Sequence, residues 1–322
     1  MEDYKVVKYS SSNYKEWNDF LDTSRNATFL FHRDFMEYHS DRFRDFSLLV
    51  YRKNKLITIL PANLDGELLY SHQGLSYGGF LLPNKVAFKT VFEALKCVLV
   101  FLERNDIKKI ILKQIPKIYC NKPSDDLDYL MFILKAKLFR RDLSMTIKLD
   151  KKNQYSTLRK RKIKKAQNLK FVDDTDLPSF WNLILIPNLK KKFNVKPVHS
   201  LEEITRLKQT FPYNIKQFNV FDDDGLLAGC TVFETEKVAH LQYVSTKKNI
   251  KDGALDFLIH QLLTTVYKNK TYFDFGISNE NQGKNINLGL LNWKQSFGAS
   301  PIVHDFYEIK VNSHPLLNNV ML

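Results

Sequence analysis

The 322-residue chain is 44% hydrophobic and 26% charged, a balance that excludes a disordered polymer and suits about two globular domains. Its three cysteines, Cys97, Cys120 and Cys230, are too few and too scattered for a disulfide frame or a metal cluster, so no metal is expected. The 49 lysines and arginines against 35 acids leave a net charge of +14, which calls for an anionic partner.

Residues 1–12 show no apolar stretch behind a basic start, and the longest apolar run, residues 91–102, is broken by Glu93 and Lys96. A cytoplasmic protein with no transmembrane segment is the expectation. Apolar periodicity predicts strands at 46–51 and 55–60 around the turn 52–54, and a third at 68–73. A glycine-containing loop, 74–84, leads to a helix over 86–104, with Cys97 on its apolar face, and then a strand over 109–113. The pattern lapses near Asp150. A basic cluster follows, with Arg159, Lys160, Arg161, Lys162, Lys164, Lys165 and Lys170 and no acid among them. Such a cluster meets nucleic acid, a nucleotide-sugar or coenzyme phosphate, or anionic lipid; the alternative is a solvated helix face.

Further on, a helix is predicted over 177–193, bent at Pro187, and another from Ser200, where Ser200 and Glu203 spell a capping box. The order of elements then repeats. A strand pair, 217–221 and 226–233, turns at Asp222–Gly225; a third strand covers 238–245, a loop 246–253, a helix 254–267 and a strand 271–275. Val50 and Val220, like Leu68 and Val238, are 170 positions apart. The repeat is one of architecture rather than of residue identity. It predicts an α/β fold with mixed sheets in two tandem domains, 1–149 and 150–322, the second carrying the active site.

An anionic ligand is best held where a strand ends and a helix begins, because free amides and the helix dipole point at it there. Lys247, Lys248 and Lys251 lie in the second half's loop, with Gly253 and Ala254 at the helix start. This suits the diphosphate of an acyl carrier such as coenzyme A. The first half's loop, with His72, Gly74, Tyr77, Gly78 and Gly79, reads as a substrate rim or as a relic of duplication. Strand alternation places His240 and Gln242 on one face and Ala239, Leu241 and Tyr243 on the other, while Tyr272 and Asp274 share a face. His240 is then a candidate base for an attacking amine, with Asp274 orienting it; the alternative is a hydrogen-bonded core histidine. No nucleophile elbow is spelled, which argues against a covalent acyl-enzyme.

Two stretches carry a resemblance. Tyr272-Phe-Asp-Phe-Gly276 followed by Asn287-Leu-Gly-Leu-Leu-Asn-Trp-Lys-Gln-Ser-Phe-Gly298 resembles the carboxy-terminal signature of the Fem-type peptidyltransferases, a tandem branch of the GNAT-fold N-acyltransferases. The basic run 158–170 looks like the helix that opens the second domain there. The resemblance implies two GNAT-like domains. It also implies that Trp293 and Lys294 are the family's aromatic-lysine pair, with Lys294 stabilising negative charge on the reacting carbonyl; the alternative for Lys294 is an ordinary surface lysine. His199 with Ser200, and Gln242 with Tyr243, would be acceptor contacts. Some Fem enzymes take amino acids from charged tRNA and carry a coiled-coil arm. No heptad-patterned insert occurs here, so the chain looks closer to relatives linked with cell-surface polysaccharide that use acyl-coenzyme A.

The function expected is therefore acyl transfer from an acyl-CoA co-substrate to an amino group. The acceptor would be a nucleotide-linked or lipid-linked amino sugar of the cell envelope, with peripheral contact at the inner membrane face. The alternatives are aminoacyl-tRNA-dependent transfer onto a peptidoglycan precursor, and a non-catalytic nucleic-acid-binding protein.

Overall fold

The computed structural model describes residues 3–149, 154–174, 176–247 and 253–321. The predicted junction at Asp150, and the loop residues Lys248 and Lys251, lie outside these. Along the first half run β1 (Tyr4–Lys8), α1 (Tyr14–Asp22), α2 (Arg33–Met36), β2 (Arg44–Asp45), β3 (Leu48–Arg52), β4 (Lys55–Leu60), β5 (Asn63–Asp65) and β6 (Leu68–Tyr70). Then come α3 (Phe88–Arg104), β7 (Lys109–Lys113), α4 (Asp126–Ile133) and β8 (Lys137–Lys148). The second half has α5 (Thr157–Lys165), β9 (Lys170–Asp174), α6 (Leu177–Phe180), α7 (Ile186–Phe193), α8 (Leu201–Thr210), β10 (Ile215–Asp222), β11 (Gly225–Glu234) and β12 (Val238–Thr246). It ends with α9 (Ala254–Gln261), β13 (Tyr272–Ile277), β14 (Asn279–Glu280), β15 (Asn285–Ile286), α10 (Leu288–Gln295) and β16 (Ser300–Lys310).

These elements form two compact units. One comprises Met1–Asp142 with Val303–Leu322, the other Leu143–Ile302. The boundaries differ from the expected 1–149 and 150–322 because the last strand leaves the second unit. In β16, Phe306 to Lys310 pair antiparallel with Lys113 to Lys109 of β7.

In the first unit β1, β3 and β4 make one antiparallel sheet, and β2, β5, β6, β7 and β16 follow one another in a second. The β3–β4 turn puts Lys53 and Asn54 at φ of 48° and 62°, the left-handed pair a two-residue hairpin needs. The apolar stripe of α3 (Val91, Leu95, Val98, Leu99, Leu102) is buried over this unit's core. Cys97 falls at the stripe's margin and is half-exposed rather than buried as expected.

The second unit orders its strands β8-β13-β12-β11-β10-β9. All neighbours are antiparallel except β12 and β13, which are parallel and joined through α9. Apolar residues from the sheet (Cys230, Val232, Ala239, Leu241, Phe273, Phe275) meet Phe257, Leu258 and Leu262 to form the core on the α9 side. One local reading is corrected and two are refined. The basic helix stops at Lys165, and Lys170 starts β9. Where a bend at Pro187 was expected, a π-turn, Trp181–Leu185, joins α6 to α7 and accommodates the missing amide and bulky ring of the proline. A second π-turn, Leu262–Val266, finishes the helix begun by α9.

Candidate active site

The parallel pairing of β12 with β13 is brief. It runs from Val238 opposite Tyr272 to His240 opposite Asp274 and then stops. Past that point β13 keeps β8 as its partner across a register shift, with Ile277 opposite Ser144, while β12 continues to Thr246 paired with β11. Among the described residues, no strand pairs with the other side of β12 beyond His240. An extended, amide-bearing molecule can complete the sheet there.

At the fork stands a linked set of polar groups. His240 Nδ1 lies 3.1 Å from Asp274 Oδ2. The other carboxylate oxygen accepts from Ser144 Oγ at 2.7 Å and from the Gly276 amide at 2.8 Å. Asp274 is buried and each of its oxygens has a partner, so its orientation is set; the His240 side chain is 21% exposed, leaving the edge opposite Nδ1 a way to solvent. Gly276 sits at φ +75°, a conformation glycine tolerates, and a β-carbon there would lie 3.4 Å from His240 Cε1. The sequence-predicted pair His240 and Asp274 is thus brought together.

Lys294, on α10, is 2% exposed and not the surface lysine of the alternative reading. Its ammonium donates to the carbonyls of Gly276 at 2.8 Å and Ile277 at 2.6 Å, the residues where β13 leaves β12. Burial lowers its pKa to about 8, with Asp274 pulling the other way. At neutral pH it remains mostly charged, and an ammonium has three donors, of which two are used. Ser278, fully buried beside this pair of carbonyls, has an Oγ with no hydrogen-bond partner. Trp293 turns its ring to Phe275 and Phe297, with centroids 5.6 and 5.5 Å away, so it packs α10 onto the core.

The expected faces of β12 are corrected by a β-bulge. Thr231 stands opposite Tyr243 and Val232 opposite Leu241, so Gln242 is an inserted residue and the alternation slips. Tyr243 therefore shares the face of His240 rather than that of Leu241, which lies in the α9-side core. There Tyr243 packs edge-on against Trp181 at 4.9 Å and its hydroxyl meets His199 Nδ1 at 2.7 Å, so both residues named as acceptor contacts do come together. Burial raises the Tyr243 pKa to about 12, and the phenol stays protonated. The Oε1 of Gln242 is buried without a partner. The far end of β12 is tied to α7, where Asn188 Nδ2 donates to Ser245 Oγ at 2.9 Å and to the Thr246 carbonyl at 2.8 Å. Ser200 caps α8 as its sequence predicted, bonding Glu203 in both directions.

The start of α9 is packed against the end of α5. Gly253 is its N-cap at φ +118°, and a β-carbon there would come within 2.4 Å of the Lys162 carbonyl. Hence the last turn of α5, which carries Lys162, Lys164 and Lys165, abuts the amide end of α9, and Lys247 is exposed at the end of β12. Ala254 is buried, so its contribution is its backbone. The sequence missed that Arg159 is not part of the free charge. Its guanidinium is ion-paired with the buried Asp256 of α9, bonds Ser296 Oγ at 2.7 Å, and covers the Phe297 ring. The signal was available, since Arg159, Ile163 and Ala166 lie on one helical stripe, and the latter two are buried.

The first unit repeats the fork and closes it. Parallel pairing of β6 with β7 ends at Tyr70 opposite Ile111. Gly78 then enters between the strands: its amide donates to the Lys113 carbonyl at 2.6 Å, it bridges Gln114, and a β-carbon would lie 1.9 Å from the Ser71 carbonyl. Lys113 secures the loop by donating to the Leu75 carbonyl, and burial lowers its pKa to about 8. Tyr77 is in the core, bonding Thr28 Oγ1 at 3.1 Å and packing on Phe31 and Tyr119, rather than on a substrate rim. His72 is buried as well, at φ +70°.

Among the described residues no three His, Cys, Asp or Glu side chains are grouped to hold a metal ion, and no helix is long and apolar enough to cross a membrane. No protein-family model and no curated sequence matches the chain. Solved structures do. FemX aligns at a TM-score of 0.66 with 11% identity, over 98% of this chain and 99% of its own. L-PGS from Bacillus licheniformis aligns at 0.59 with 13% identity, over 96% of each chain. A conserved protein of unknown function from Bacteroides thetaiotaomicron aligns at 0.58 with 11% identity, over 95% of this chain and 99% of its own. At such identities the likeness is one of fold. The tandem α/β fold expected from the sequence, the fold of FemX, is the fold of this chain.

Proposed function

We propose that the chain is an N-acyltransferase that moves an acyl group from a coenzyme A thioester to an amine, within a ternary complex and without a covalent intermediate. The observation that carries this reading is the fork after His240 and Asp274, where an unpaired strand side, a base with a free edge and a buried ammonium meet. The carrier's amide-bearing arm pairs with β12. Its phosphates lie against the start of α9, the exposed lysines of α5 and Lys247.

The acceptor nitrogen attacks the thioester carbonyl, forming the C–N bond. The carbonyl oxygen takes up negative charge near the remaining donor of Lys294. The nitrogen's proton passes to His240 Nε2, whose lone pair is directed outward because Nδ1 is held by Asp274. The C–S bond then breaks, and the leaving thiolate takes the proton held by His240, which restores the base. Tyr243, His199 and Gln242 line the same face and orient the acceptor, an amino sugar of a cell-envelope precursor. The fold shared with FemX and L-PGS supports the transferase reading, and in that reading its setting is the cytoplasm, on envelope precursors beside the membrane.

A second reading keeps aminoacyl-tRNA as donor. It is favoured by Lys160, Arg161, Lys164 and Lys165, which remain exposed on α5 after Arg159 is accounted for. Against it, the longest helix among the described residues is α3, with 17 residues in the first unit, and no coiled-coil arm is present among them.

Calorimetric titration with coenzyme A and with tRNA separates the readings. Coenzyme A binding that weakens in Lys164→Ala/Lys165→Ala supports the first. Binding of tRNA alone, falling steeply with salt, replaces it with the second.

A further inference from the structure

The first unit has closed its fork, yet beside the closing loop it keeps a pocket of about 220 Å³. Its rear wall is a pair of stacked imidazoles, His39 and His72, with ring centroids 4.9 Å apart. Gly74 lies flat on His39, where a β-carbon would approach Nε2 to 2.1 Å, so the loop's first glycine shapes this wall as Gly78 shapes the plug. His72 is 3% exposed and its Nδ1 has no hydrogen-bond partner. A buried polar atom without a partner costs stability, and His72, which carries this one, is among the residues lining the pocket. By register His72 corresponds to Gln242, since each stands two residues past the last parallel pair of its fork, and Gln242 likewise has an unpartnered buried atom.

The chemistry of the walls defines the occupant. Phe43, Met36 and Tyr9 offer apolar surface, against which the C–H face of a ring packs. Glu37, Asp45 and Ser40 offer acceptors at the rim. Arg33 contributes the pocket's guanidinium, already committed to Asp45, to Glu37 at 3.0 Å and to the Tyr9 ring at 3.6 Å. Two carboxylates against one guanidinium leave these rim groups net negative, which disfavours phosphate and favours a neutral or amine-bearing molecule. Burial, with His39, Arg33 and Lys113 nearby, holds His72 well below the ordinary imidazole range and therefore neutral.

We infer that the first unit carries a binding site of its own for a single hydroxylated six-membered ring bearing an amine, that is, an amino sugar. The inference rests on the acyltransfer reading only for the choice of an amino sugar, the class of acceptor proposed there; its evidence is confined to this pocket.

The test is saturation-transfer NMR on the full chain with glucosamine, glucose and glucose 1-phosphate, in parallel with calorimetry of coenzyme A. Glucosamine should bind on the order of 1 mM, as suits so small a ligand. It should bind more tightly than glucose, and glucose 1-phosphate should bind least. Phe43→Ala, a half-buried site, and His72→Asn, which keeps a residue tolerant of the left-handed conformation, should each weaken it roughly tenfold or more, with coenzyme A affinity unchanged. Absence of any hexose binding, preference for the phosphorylated sugar, or binding indifferent to both variants overturns the inference. Sugar binding intact with no coenzyme A binding leaves this site standing and removes the proposed donor instead.

Discussion

Replacing Lys294 by methionine separates chemistry from structure, because the magnitudes nearly cancel for stability and do not for rate. In the folded chain its pKa drops from 10.5 to about 8. At neutral pH that drop means burial of the ammonium costs roughly 3 kcal/mol. Methionine keeps most of the stem and removes that cost, but strips the Gly276 and Ile277 carbonyls of a donor, at about 1–3 kcal/mol each. The two effects oppose, so the variant should unfold within ~2 kcal/mol of wild type. The rate has no such compensation. Loss of a fixed donor at a developing oxyanion should lower kcat roughly 10²–10³-fold.

The pH dependence supplies a second check. In the wild type, kcat should fall as pH rises through about 8, where Lys294 loses its proton, and this limb should vanish from the variant's residual rate. Stability moves the other way. The unfolded lysine still binds a proton between pH 8 and 10.5 while the folded one does not, so wild-type stability should gain across that window and the variant's should lack this gain. Stopped assays of thioester cleavage with an amine acceptor, beside urea titrations, give both quantities. A wild-type rate in Lys294→Met, or an alkaline limb that persists in it, would refute the oxyanion role and leave Lys294 as a clamp on the end of β13.

His240→Gln should lower kcat by roughly 10²–10⁴ with little change in thioester KM, and Asp274→Asn should follow it in part, since Asp274 acts by orienting the ring; steady-state kinetics decides this. Arg159→Met should destabilise the fold by about 3–5 kcal/mol by leaving Asp256 a buried unpaired carboxylate, and Asp256→Asn added to it should recover part of the loss in chemical denaturation. Calorimetry should find one coenzyme A per chain; two would mean that Gly78 does not close the first unit's fork.

Much of this was legible in residue patterns, and the exceptions share a cause. The turn at Asp222–Gly225, the hairpin at Lys53 and Asn54, the stripe of α3 and the capping box at Ser200 are decided by neighbours in sequence, and all appear where expected. His240 and Asp274 were also readable, because strand alternation is local. The bulge at Gln242 was not: an inserted residue changes no composition, yet it moves Tyr243 to the other face. Nor does local pattern show that the strand predicted over 68–73 ends at Tyr70, since the left-handed His72 stacks on His39, 33 positions away in the chain. The return of β16 to β7 is a pairing across nearly 200 positions, for which short-range periodicity carries no signal. Arg159 was taken for free charge because its partner, Asp256, lies 97 positions away.

The closure of the first unit's fork is made of main chain, Gly78 hydrogen-bonded to Lys113 and pressed on the Ser71 carbonyl. Exchanging side chains around it would therefore not restore a vacancy; the 74–80 segment would have to be shortened or rerouted. In a tandem scaffold so closed, the first unit's fork is not open to an extended ligand, and that unit is free to diverge toward recognition of another kind.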